Sequence, residues 1–66
     1  MNLELLNEAI KDSGLKKSAI AQRMGFTKGR LYQKLYGKAQ WRVDEAKKIG
    51  EVLGLSTKQL RDIFLS

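Results

Sequence analysis

Apolar side chains recur along this chain at spacings of three and four, interrupted by single glycines, which is the rhythm of short amphipathic helices. Leu3, Leu6 and Ile10 define one apolar face, with Asn2 placed to cap its amino end and Gly14 to stop it in a left-handed turn. Ile20, Ala21 and Met24 predict a second helix from near Lys17 to Gly25, with Lys16 a poor cap at its start. Thr27 caps a third helix, which turns Leu31 and Leu35 inward and stops at Gly37. After a linker holding Trp41, the residues Val43, Ala46, Ile49, Gly50 and Leu53 predict a fourth helix closed by Gly54, with an Asp44–Lys48 pair supporting its outer side. Ser56 followed by Gln59 is a capping box that opens a fifth, whose apolar side is Leu60, Ile63 and Phe64. The expected fold is all-α: five short helices in one domain over residues 1–66.

Composition narrows the chemistry. With 42% hydrophobic and 30% charged residues the chain can bury a core, although at 66 residues it stands near the lower limit for doing so without staples, so no second module is expected. Cysteine and histidine are absent, which removes disulfides, thiolate and imidazole metal sites and the usual Ser-His and Cys-His nucleophiles. Neither an enzymatic activity nor a metal, cofactor or small-molecule ligand is therefore expected. No apolar stretch approaches the roughly 20 residues of a membrane span, and the amino terminus lacks a signal-peptide pattern; the expected location is the cytoplasm, with no membrane partner.

The net charge of +6 is unevenly distributed. From Ser13 to Val43 there is no Asp or Glu, while Lys16, Lys17, Arg23, Lys28, Arg30, Lys34, Lys38 and Arg42 all fall in that window. Helix surfaces facing only water normally mix signs, because like charges three or four apart weaken a helix. Segregation of this kind points to a polyanionic partner.

The same window holds two short helices joined by a tight turn at Gly25, the spacing of a helix-turn-helix at helices two and three. Such a crossing needs Ala21 small, Gly25 free to adopt positive φ, and Ile20, Met24, Phe26 and Leu31 apolar to lock the angle. On a wheel of about 100° per residue with Leu31 and Leu35 inward, Gly29, Gln33 and Tyr36 face outward, with Tyr32 and Arg30 at the edges. That face suits a DNA major groove. Gln33 carries the amide that pairs with adenine N6 and N7, Arg30 the fork that fits guanine O6 and N7 or drops to a phosphate, and Lys28 can do either. Gly29 lets the backbone approach the bases. Lys17, Lys38 and Arg42 bracket the groove as phosphate contacts, and the hydroxyls of Tyr32 and Tyr36 are candidates for the same backbone, the alternative being simple packing.

The run GLKKSAIAQRMGFTKGRLYQKLYGK, followed by EVLGLSTKQLRDIF, resembles the lambda-repressor-like, Cro and XRE family of helix-turn-helix regulators over nearly the whole chain. The resemblance implies a lambda-repressor-like DNA-binding domain whose third helix enters the major groove of an operator, usually as a two-fold dimer. It implicates Lys17 and Lys38 at phosphates and Lys28, Gly29 and Gln33 near bases. A short chain of this kind is more similar to the Cro-type phage repressors than to full-length repressors. At position 34 the family usually carries an apolar residue; here it is Lys34, and Leu35 is expected to take over that packing.

Ile63, Phe64 and Leu65 supply more apolar surface than one helix face needs, which is the expectation for half of a homodimer contact or for a lid on the core. A two-fold pair sets its recognition helices roughly 34 Å apart and calls for a palindromic operator of double-stranded DNA. Trp41 is expected as a core or dimer anchor. Competing functions are a protein-interaction module, such as an antitoxin or adaptor on the same fold, and a nonspecific binder of nucleic acid or anionic membrane using charge alone.

Overall fold

Five α-helices carry the fold in the computed structural model, which describes residues 1–65: α1 (Leu3–Ser13), α2 (Lys17–Met24), α3 (Lys28–Leu35), α4 (Val43–Leu53) and α5 (Thr57–Phe64). No strand occurs among the described residues. The helices start where the chain supplies acceptors for otherwise orphaned N–H groups. Asn2 Oδ1 accepts from the Leu5 N–H at 3.0 Å, and Thr27 Oγ1 accepts from Arg30 at 3.2 Å. Ser56 and Gln59 exchange bonds of 3.1 and 2.9 Å as a reciprocal box. Lys16, the poor cap, makes no side-chain capping bond.

Among the described residues eight apolar side chains form the buried centre: Leu6 and Ile10 from α1, Ile20 and Ala21 from α2, Leu31 and Leu35 from α3, Ile49 from α4 and Ile63 from α5. Every helix thus contributes, and each large aliphatic among them gains about 1.5–3 kcal/mol by leaving water. Polar ties reinforce the packing. The Asn2 N–H donates to the Ile63 carbonyl at 2.6 Å, fastening the amino terminus to α5. The Asn7 amide donates to the carbonyls of Leu3 and Leu35, joining α1 to the end of α3. At Gly50 the approach of α5 is so close that a Cβ would fall 2.7 Å from Leu60 Cδ2.

Between α2 and α3 the chain turns through three residues. Gly25 sits at φ 77°, and the Phe26 N–H returns to the Ala21 carbonyl at 2.9 Å, closing α2. Half-buried Phe26 packs against the core while exposed Thr27 opens α3.

Two expectations require correction. Val43, assigned to the apolar face of α4, is 79% exposed, because it is the first residue of that helix and lies beyond the edge of the core. Asp44 meets Arg42 Nε at 3.4 Å in place of Lys48, the shorter reach across the helix start. The third helix ends at Leu35 with Tyr36 as its cap, and Gly37 stops it at φ 78°, as expected. No helix among the described residues is long and apolar enough to cross a membrane.

Replacing Gly25 with Ala introduces a left-handed backbone for a residue with a Cβ, although nothing lies within 4 Å of that Cβ to obstruct it. The cost is therefore conformational. A urea titration is expected to show a loss of about 1 kcal/mol.

Candidate nucleic-acid interface

The outward side of α3 is polar and exposed. Lys28, Gly29, Arg30, Gln33 and Tyr36 are all open to solvent, whereas Leu31, Lys34 and Leu35 are buried and Tyr32 is half-buried. The burial of Lys34 alongside the two leucines centres the inward face between them, so Arg30 and Tyr32 stand at nearly equal angles on either edge.

One edge runs toward α2. The Lys17 ammonium, at the first residue of α2, lies 5.4 Å from the centroid of the Tyr32 ring, and that ring is 5.9 Å from Tyr36. A lysine and two phenols thus share one flank. At the carboxy end of α3 the Lys38 N–H donates to the Gln33 carbonyl at 2.8 Å, which fixes where the exposed Lys38 side chain leaves the backbone.

The opposite edge is organised by a residue that the sequence reading did not single out. Glu45, on the first turn of α4, is buried, and its carboxylate faces three donors. Oε1 accepts from Lys34 Nζ at 2.8 Å and from the Arg42 N–H at 2.9 Å, while Oε2 accepts from Arg30 Nη2 at 3.2 Å. Lys34, only 4% exposed, also donates to the Gln40 carbonyl at 2.7 Å, and its ammonium lies within 6 Å of the Phe26 and Trp41 ring centroids. The expectation that Leu35 would replace Lys34 in the packing is corrected: both turn inward, Lys34 because a carboxylate and a carbonyl await its charge. Among the described residues no buried side-chain nitrogen or oxygen lacks a partner.

Arg30 does not project freely toward solvent. Its guanidinium lies over the Phe26 ring at 4.7 Å with one nitrogen on Glu45, and 53% of the side chain remains exposed. The Arg42 side chain is open, its Nε meeting the equally exposed Asp44 at 3.4 Å. Glu45 was marked in the sequence by two features: it stands three residues after the α4 cap, the reach-back position of a capping box, and it is among the first acidic residues after the acid-free run.

Burial pushes the Glu45 carboxyl up, but the hydrogen bonds from Lys34 and the Arg42 N–H, with the charges of Lys34 and Arg30, outweigh it and hold its pKa below the ordinary 4.5.

Trp41 is half-buried, donates Nε1–H to the Lys34 carbonyl at 3.3 Å and meets Phe64 edge-on at 5.6 Å. It belongs to the edge of the core. Ile63 is buried in the core, as a lid requires, while Phe64 is half-buried and Leu65 80% exposed. With Val43, Ala46 and Leu60, Phe64 and Leu65 line a shallow apolar groove between α4 and α5. No group of three or more metal-ligating side chains exists among the described residues. No protein-family model matches the chain, and neither the curated proteins nor the solved structures yield a match.

Glu45→Gln leaves the Lys34 ammonium as an unneutralised buried charge and is expected to cost about 3 kcal/mol in urea denaturation, more than the pair Lys34→Met with Glu45→Gln, which removes both charges. Because the folded pKa is depressed, the carboxylate's contribution is fully present above pH 4.5 and is lost as pH falls through its lower folded value. This component of the acid dependence is expected to vanish in the pair variant, as stability measured against pH would reveal.

Proposed function

We propose that this chain is a sequence-specific double-stranded DNA-binding transcription regulator, a repressor of the Cro type within the lambda-repressor-like helix-turn-helix family. In this reading α2 and α3 are the helix-turn-helix, and α3 lies in the operator major groove. One observation carries the proposal: an exposed polar face of Gly29, Gln33 and Tyr36, framed by Lys17, Lys28 and Lys38, on two helices that hold no acidic residue. A segregated positive frame supplies affinity for phosphates, and the face within it supplies hydrogen-bonding groups for base edges.

Gln33 reads a base through its amide, Lys28 reaches a base or phosphate from the first turn, and Gly29 admits the backbone to close approach. Lys17, Tyr32, Tyr36, Lys38 and Arg42 hold the DNA backbone. Arg30 stands at the rim, between the bases and Glu45. A second copy pairs with the first across Val43, Phe64 and Leu65, the apolar patch beside α5, so that two recognition helices meet successive major grooves of a palindromic site.

Selection from a random duplex library at about 150 mM salt tests the reading. A palindromic winner bound at least about a thousandfold tighter than scrambled duplex is expected, since specific binders reach such ratios. Affinity that tracks salt with no preferred sequence would overturn it and leave an interaction module or a nonspecific binder. On the winning site, Gln33→Ala is expected to lose about 1–3 kcal/mol of discrimination at one base pair, whereas Lys38→Ala weakens binding to every duplex and lowers the salt slope by about one.

A further inference from the structure

We propose that Glu45 is a specificity-setting residue that holds Arg30 away from the DNA backbone. The inference rests on the DNA-binding reading above and goes beyond it by giving Arg30 and Glu45 opposed roles. Glu45 Oε1 is fully occupied inside the protein by Lys34 and the Arg42 N–H, at 2.8 and 2.9 Å. Its other oxygen points to the rim and takes Arg30 Nη2 at 3.2 Å. Phe26 supports the guanidinium from beneath, 4.7 Å from ring centre to Cζ.

An oxygen anion at the edge of α3 therefore takes one of the guanidinium's five N–H donors and offsets its charge, in competition with a DNA phosphate. Lys34 cannot leave to free that carboxylate, because its ammonium is enclosed by Glu45, Gln40 and two aromatic rings. Arg30 is different: half of its side chain meets solvent, which screens its contact with the buried Glu45 and sets its bias on an equilibrium at about fivefold. The contact is strong enough to suppress a backbone contact that every sequence offers and too weak to resist one supplemented by a well-matched base. Glu45 thus lowers binding to arbitrary DNA more than binding to the operator.

Lys34→Met with Glu45→Gln tests this without altering net charge, since one positive and one negative charge are removed together. Methionine follows the aliphatic path of Lys34, and the amide carbonyl that replaces the carboxylate remains an acceptor for the Arg42 N–H. Thermal melts by circular dichroism establish that the pair variant is folded before binding is measured.

Against a scrambled-sequence duplex the pair variant is expected to gain about 0.9 in the slope of log affinity on log salt, and about fivefold in affinity at about 0.15 M salt, the effect of one further phosphate contact. Its operator-to-scrambled ratio falls correspondingly. Adding Arg30→Ala removes the gain, while Arg30→Ala in the parent leaves the scrambled-duplex slope nearly unchanged. The proposal is overturned if the folded pair variant keeps the parent's slope and ratio, or if Arg30→Ala in the parent already removes a full contact. A parent protein that binds no duplex in a salt-dependent way instead defeats the DNA-binding reading itself, a result visible before any variant is made.

Discussion

The buried contact of Lys34 with Glu45 is the constraint on which the arrangement of α3 depends. Taking an ammonium and a carboxylate out of water costs several kcal/mol per ion unless their mutual attraction and further hydrogen bonds offset it. Here both oxygens of Glu45 and the ammonium of Lys34 are provided for, by the Gln40 carbonyl, the Arg42 N–H and Arg30. An apolar pair of similar volume would hold α3 against α4 as firmly, but without direction. The inward Leu31 and Leu35 already turn α3 about its axis, and the hydrogen bonds at fixed angles hold Lys34 and the α3–α4 loop in one arrangement within that orientation. The same carboxylate caps α4, so the α3–α4 loop is tied at both ends by one side chain.

Charge in this small domain consequently divides by depth. Lys34 acts within the protein, where its field is directed at one carboxylate, and Arg30 is held at the boundary over Phe26. Lys28 and Lys38 stand in solvent, with Lys17 half-buried against Tyr32. Only the charges in solvent contribute fully to long-range attraction of a polyanion, and their effect is set by ionic strength. A count of basic residues therefore overstates the positive surface that is open to solvent.

The other end of the molecule has a different physics. Ile63 completes the core, Phe64 packs its ring against Trp41, and beyond them Leu65 and Val43 lie uncovered. Their placement follows from helix geometry: one residue past the last inward turn of α5, and one before the first inward turn of α4, a side chain no longer has core to reach. The polar face of α3 and this apolar edge are joined through Trp41, whose Nε1–H holds the Lys34 carbonyl while its ring contacts α5.

Helix number, helix limits and most of the core were legible in the sequence by itself, because caps at Asn2, Thr27 and Ser56 and stops at Gly14, Gly25 and Gly54 act through bonds to residues only a few positions away. The exposed positions Lys28, Gly29, Gln33 and Tyr36 were likewise readable, since periodicity decides which side of a short helix faces away from two inward leucines. Tertiary structure alone decided the fate of Lys34, Arg30 and Val43. A lysine is outward by habit, and it turns inward here only because Glu45 and Gln40, eleven and six residues further along, meet it in space. Local rules see neighbours within a turn; the balance between desolvation and a distant partner becomes defined only when α3 and α4 have been brought together.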